Sequence, residues 1–295
     1  MRFILGEEEK RPIIKPYGIY IYKGRIYICD SILGGLEILD LNKKTFDYFQ
    51  PQGLGLIKKP INCFVDRDGM LYVADAVRRQ IVVFDQKLKY QASFCDATKT
   101  KPTDVRVVDK EIWVCDIKGH QIHIYSKPDY KLIRSFPINA TSKSDEFLNS
   151  PTNLFVTDDL VYVSDFGAFK VKVFTRDGKF VRSIGSYGKA LGQFVRPKGI
   201  AVDRDGLLHV VDAGFENVQI FDKNGKLLMF YGGSYKHPGN MWLPAKVLID
   251  YDNLDYFKDY VHKNFTLRYL IFVTNQYGPD KVSVYGFIEP KTKSE

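Results

Sequence analysis

The chain has 295 residues, is 45% hydrophobic and carries 43 Lys and Arg against 35 Asp and Glu, a formal net charge of +8. That is enough apolar material for a large core, yet no run approaches the ~18 apolar residues of a helical membrane span. The positive balance permits acidic partners, among them nucleic acid, lipid headgroups, phosphates and haem propionates, without requiring any of them.

The first residues, Met1-Arg2-Phe3-Ile4-Leu5-Gly6-Glu7, hold too short an apolar stretch for a secretory signal. The reading is a cytoplasmic protein, or an exported one (periplasmic or extracellular) whose leader is missing from this chain. Residues 2–6 read instead as a lone strand that aligns with Val181-Arg182-Ser183-Ile184-Gly185. Six short strands follow, each closing on an acid or amide: 26–30 on Asp30, 71–75 on Asp75, 112–116 on Asp116, 161–165 on Asp165, 208–212 on Asp212 and 271–275 on Asn275. Self-similarity at a period of roughly 40–50 residues marks a solenoid, propeller or array.

Each of these strands is preceded by an inner strand that follows a proline: Pro16, Pro60, Pro102, Pro151, Pro197 or Pro244. A fixed φ and a missing N–H suit the first position of a strand. Two residues further on stand Gly18, Asn62, Asp104, Asn153, Gly199 and Lys246, mostly types that tolerate unusual backbone angles. The second strands are apolar on both faces, with Tyr27, Tyr72, Trp113, Tyr162, His209 and Phe272 in one shared slot, as expected of sheets sandwiched between neighbours. The terminal acids are expected to accept backbone N–H bonds in the following turn, a structural role.

The fifth unit shows the plan most clearly. Ile200-Ala201-Val202 is the inner strand, Asp203-Arg204-Asp205-Gly206 a tight hairpin and 207–211 the second strand. Val218-Gln219-Ile220-Phe221 is the third strand, and 226–231 the outer one. Four antiparallel strands per unit describe a propeller blade. The expected fold is therefore all-β, a six-bladed β-propeller of four-stranded antiparallel blades over residues 1–295 as one domain. The sixth unit runs through Lys281-Val282-Ser283-Val284-Tyr285 into a basic tail, 290–295, without a good outer strand. Residues 2–5 are expected to supply that strand and close the ring, which leaves no open sheet edge.

The four cysteines show neither C-x-x-C spacing nor a C-x-x-C-H haem attachment. Cys29 and Cys115 take a small buried slot and Cys63 an aliphatic one, whereas Cys95, at a strand end, is the expected exposed thiol. No cofactor is implied.

These units resemble NHL repeats of the bacterial type, a family of six-bladed β-propellers. The matching residues are Gly185-Ser186-Tyr187-Gly188 through Gly192-Gln193-Phe194, then Pro197-Lys198-Gly199-Ile200-Ala201-Val202-Asp203, and Val218-Gln219-Ile220-Phe221-Asp222. The resemblance covers essentially the whole chain, strongest in repeats four and five. The family's usual Gly-Asn-Arg stretch in the middle turn is mostly missing, with only Asn217 near it. The resemblance implies a rigid scaffold for binding. It further implies that similar exported bacterial propellers accompany multihaem c-type cytochromes in extracellular electron transfer, that some relatives are metal-dependent lyases or hydrolases with a cation in the central channel, and that some bind RNA on a basic face.

Three groups of residues depart from the repeat and are candidate contacts with a protein partner. The first is a basic rim beside the prolines: Lys15, Lys59, Lys101, Arg196, Lys198 and Lys246, a ring of like charge that would focus potential on an anion. The second is the loop with Tyr235, His237 and Trp242, residue types favoured at contacts. The third is an insertion in blade six, 251–268, with Tyr256, Phe257 and Tyr260, where Asn253 is placed to cap a short helix. This insertion reads equally as a structural plug or as a partner element. The five histidines do not converge on a metal set and no serine nucleophile elbow occurs, which weighs against an enzyme. No Arg-rich cluster interleaved with aromatics emerges, which weighs against RNA. The sequons at Asn139 and Asn264 read as chance.

Overall fold

The computed structural model describes residues 13–291. Six small antiparallel sheets stand side by side around an axis, five of four strands and one of three among the described residues. The inner strands are Pro16–Tyr22, Pro60–Val65, Pro102–Val108, Pro151–Val156, Pro197–Val202 and Pro244–Asp250. Each contacts the next, and the sixth returns to the first, so the ring is closed at the axis. Within blade five the order is Pro197–Val202, Leu208–Asp212, Asn217–Phe221, Leu227–Gly232, as the hairpins require. The second strands are buried along nearly their whole length because a neighbouring blade covers each face. Hydrophobic clusters therefore lie between blades rather than within them: Trp113 and Phe136 of blade three pack with Leu154 and Phe174 of blade four.

The terminal acids bind the ring together. Asp75 accepts from the backbone N–H groups of Lys58 (2.6 Å), Lys59 (3.1 Å), Val77 (2.9 Å) and Arg78 (2.9 Å). Asp30 and Asp212 each accept from the same four positions of their own blades. The carboxylate thus joins the segment that leads into a blade to the turn that leaves its second strand. In return, the carbonyl of the residue before each proline accepts from the residue after each acid, as in Ala76 N–H to Lys59 O at 3.0 Å.

Every inner strand carries one extra residue directly after its proline. Pro60 lies opposite Asp75 and Asn62 opposite Ala74, so Ile61 has no cross-strand partner. The other five blades shift register at the same place. A bulge bends the strand and re-aims its side chains, and here it recurs once in each of the six inner strands.

Blade six departs from its expected form. Its second strand begins at Phe265 and runs to Asn275, and its third, Val282–Pro290, pairs with it as far as Pro290. The insertion forms two 3-10 turns, Leu254–Tyr256 and Lys258–Tyr260, rather than a longer helix. Asn253 does not cap them: its Nδ2 donates to Asp250 at 2.9 Å, and its side-chain oxygen accepts no N–H of the turn. The closing strand expected at residues 2–5 and the end of the basic tail lie outside the described residues. No helix among the described residues is long and apolar enough to cross a membrane. Cys29, Cys63 and Cys115 are buried as expected. Cys95 is half-buried rather than exposed, and burial pushes its thiol up to about 12.

Candidate functional site

The axis is built in layers. Two residues past each proline, Asn62, Asp104, Asn153 and Lys246 meet at the centre, all buried. The Lys246 ammonium donates to Asp104 Oδ2 at 2.7 Å and to Asn153 Oδ1 at 2.8 Å. Asn62 donates to the Thr103 carbonyl at 2.7 Å, and Asp104 accepts from the Leu154 N–H at 3.2 Å. Arg106 contacts the other oxygen of Asp104 at 3.2 Å and lies over Phe64. Burial, together with Arg106, presses Lys246 down to about 8, and Asp104 opposes that shift.

Two glycines complete this layer. A Cβ on Gly18 would lie 2.6 Å from Asn62 Cα, and one on Gly199 would lie 2.5 Å from Lys246 Cα. Only a residue without a side chain lets these strands approach so closely. Lys246 is therefore not a rim residue. It is 1% exposed and joins blade six to blades three and four from inside the ring.

This centre does not fit a metal ion. Its one carboxylate is already held by two cations, its other oxygens are amides, and an ammonium sits where the donors converge. No group of three or more His, Cys, Asp or Glu among the described residues is placed to hold one.

One residue nearer the prolines, the bulged residues form the mouth: Tyr17, Ile61, Thr103, Thr152, Lys198 and Ala245. The Lys198 ammonium of blade five reaches over the Tyr17 ring of blade one, 5.1 Å from its centroid. Burial presses Lys198 down to about 8, with Arg196 and Lys15 adding repulsion. Lys15 lies over the Tyr277 ring at 5.2 Å and contacts its hydroxyl at 3.5 Å. Burial raises the Tyr17 phenol, and the neighbouring Gln276 amide opposes this in part. The structure thus gathers Lys15, Arg196 and Lys198 with two tyrosines at one mouth. Lys59 and Lys101 are exposed on blades two and three.

Tyr235 stacks on Trp242 with centroids 5.8 Å apart and donates to Asp280 at 2.9 Å, a bond that raises its phenol. Trp242 is half exposed, and its carbonyl accepts from the Tyr277 N–H, so this loop adjoins the Lys15 side of the mouth. His237 is exposed. The insertion lies elsewhere. Phe257 packs edge-on against Phe272 at 5.9 Å, and Tyr256 bonds Asn42 of blade one. Tyr256, Phe257 and Tyr260 line a groove of about 790 Å³ against Val282, Val284 and Ile288. The inner half of the insertion is thus packed like a plug, whereas Tyr260 is 70% exposed.

One row of polar residues was not apparent from sequence. His123 Nε2 lies 3.1 Å from Asp116 and its Nδ1 2.7 Å from Ser135 Oγ. Asp116 is one of the terminal acids and already accepts from Lys101 and Lys118. In blade four the same two positions hold Lys172 and Ser183. The row is thus a repeat position, polar as Glu37, His123, Lys172, Gln219 and Ser283 in five blades and apolar as Val82 in blade two.

The family DUF5128, described as a 6-bladed beta-propeller, matches residues 138–293, just over half of the chain. The chain belongs to this family. A search of curated proteins gives no significant match to this propeller. Solved structures similar to it include a catalytically inactive virginiamycin B lyase from Staphylococcus aureus with quinupristin. That likeness has 14% identity and a TM-score of 0.65 over 96% of this chain and 85% of that one. A gluconolactonase from Xanthomonas campestris is 18% identical, with a TM-score of 0.63 over 89% and 84%. A Kuenenia stuttgartiensis hydrazine synthase chain is 14% identical, with a TM-score of 0.59 over 96% and 98%. At these identities the likeness is one of fold. The NHL subtype expected from sequence is not what the family match names, whereas the six-bladed propeller is.

Proposed function

We propose that this propeller is a non-catalytic scaffold that binds a protein partner on the axial face bearing the mouth, through acidic groups of that partner. The observation that carries this reading is the gathering of Lys15, Arg196 and Lys198 at one mouth, with repulsion among them and no carboxylate paired to any of their side chains among the described residues. The Tyr235–Trp242 stack beside it supplies aromatic contact area of the kind that dominates interface energetics. Lys59 and Lys101 extend the positive field across the same face. The partner class suggested by the NHL-type resemblance is a multihaem c-type cytochrome in an exported bacterial assembly, whose propionates and surface carboxylates match this charge.

The test is capture of partners from the native source by the immobilised propeller, at low and at high salt, with the wild type and a Lys15→Glu/Arg196→Glu variant. Contacts between exposed charges weaken as salt shortens their range. Capture should fall with salt and be lost in the variant. Capture that withstands both changes would place the interface elsewhere.

A further inference from the structure

We propose that the mouth is itself a binding site for a single carboxylate carried on a small apolar body, with Lys198 as its principal contact and Arg196, Lys15 and Gln276 around it. This rests on the reading above, that the axial face is a binding face, and names the group it takes.

Two donors at the mouth, one half-buried and one buried, are poorly answered. Lys198 makes no hydrogen bond or ion pair among the described residues, and only the Tyr17 ring stands beneath it. Gln276 is 3% exposed, and its amide lies against the Tyr17 phenol, which it lowers, with no better acceptor for its Nε2 among the described residues. The fully buried cations of this protein are treated differently. Lys246 has Asp104 and Asn153, Lys172 has two backbone carbonyls and Asp165, and Arg106 has Asp104 and the Val105 carbonyl. Buried polar groups are normally satisfied, and each exception needs a physical explanation.

The surroundings set the ligand's chemistry. Three cations and an amide line the space with no carboxylate paired to them, so the ligand should supply negative charge and acceptors. The remaining walls are apolar or already satisfied: Tyr17, Ile61 and Ala245, with the Thr103 hydroxyl turned to the Cys115 and Pro151 carbonyls. One compact charge with an apolar body matches this better than a strongly hydrated dianion, whose desolvation the mouth would not offset.

The test titrates the full chain with benzoate, acetate, inorganic phosphate and the neutral benzamide, following binding by calorimetry or by protein NMR. Benzoate should bind more tightly than acetate or phosphate, and benzamide should not bind. Lys198→Met should weaken benzoate about tenfold or more, as loss of a charge-assisted hydrogen bond does. The wild type should lose affinity as pH rises through about 8, where Lys198 gives up its proton, whereas Lys198→Arg should hold it. The groups facing Lys198 are Arg196 from its own blade and Lys15 and Tyr17 from blade one, with Tyr277 of blade six beneath Lys15. Equal benzoate binding by wild type and Lys198→Met, or none by either, would overturn the site.

Partner capture reports separately on the scaffold. Loss of capture in Lys15→Glu/Arg196→Glu without benzoate binding by the wild type leaves the scaffold reading and removes this one. Benzoate binding with unaltered capture does the reverse. Where both hold, benzoate displacing the partner identifies a carboxylate presented by that partner, and simultaneous binding identifies a free small molecule.

Discussion

Lys198 and Lys246 stand on neighbouring blades, one residue out of step, and burial presses both down to about 8. Lys246 is two residues past its proline, with Asp104 and Asn153 as acceptors and the ring closed around it. Lys198 is one residue past its proline, on the bulge, with a tyrosine ring below and two other cations near it. The same side chain is a fastening in the first place and an unanswered charge in the second. A buried ammonium is tolerable structurally only when something answers it. On the binding reading proposed above, the contrast separates a part of the axis made for stability from a part open to a ligand.

The strongest way to break that division is to remove the answering charge. Asp104→Ala leaves Lys246 and Arg106 without their shared carboxylate, and losing one partner of a buried pair costs about 3–5 kcal/mol. Urea unfolding should show that loss as a lower midpoint. Lys246→Met/Asp104→Asn removes charge from both sides, so it should be less damaging than the two single changes summed. A loss equal to the sum in that double-mutant cycle would mean that the two groups are not coupled.

Much of this architecture is legible in the sequence because it is written six times. The prolines, the aromatic slot and the acids recur at fixed offsets, and the acids accept the N–H groups that such residues accept in turns. The axis is not written that way. Lys198 and Lys246 both look like cations beside a proline, and only the extra residue in each inner strand decides which one is sealed in. A bulge has no sequence signature here, because the bulged position holds Tyr17, Ile61, Thr103, Thr152, Lys198 and Ala245 in turn. The pairing of Lys246 with Asp104 spans blades six and three, which no local pattern reports. The insertion misled for a simpler reason: Asn253 has the composition of a cap, but its side chain is turned to Asp250 and its oxygen accepts no N–H of the turn.

The glycine of the sealed layer that follows Lys198 gives a smaller, sharper test. Gly199 follows Lys198, and a methyl group there would meet the Lys246 backbone at 2.5 Å. Backbone cannot swing aside as a side chain can, so Gly199→Ala should cost about 1–3 kcal/mol by overpacking. Thermal unfolding measures it. It should disturb the sealed layer and the mouth together, because both hang on the same strand. A fully stable Gly199→Ala protein would mean that the axis is looser than the distances imply.

The smallest expected effect has the opposite sign. If Lys198 is held for binding rather than for stability, removing its charge should help the empty protein. Its folded pKa of about 8 lies below the ordinary 10.5. Between those values the unfolded chain holds the proton more tightly, so wild-type stability rises with pH across that window and is lowest, on this account, below about 8. Lys198→Met has no such proton to lose. Near neutral pH it should gain about 1 kcal/mol, a rise of ~2–4 °C in melting temperature, and the gain should shrink as pH climbs from about 8 toward 10.5. Lys246→Met should show no gain at any pH, because its ammonium already has a carboxylate and leaving Asp104 short of a partner costs more than the ammonium's burial. Melting curves of the three proteins across that range decide it. A Lys198→Met protein less stable than wild type would make Lys198 a second fastening and dissolve the contrast.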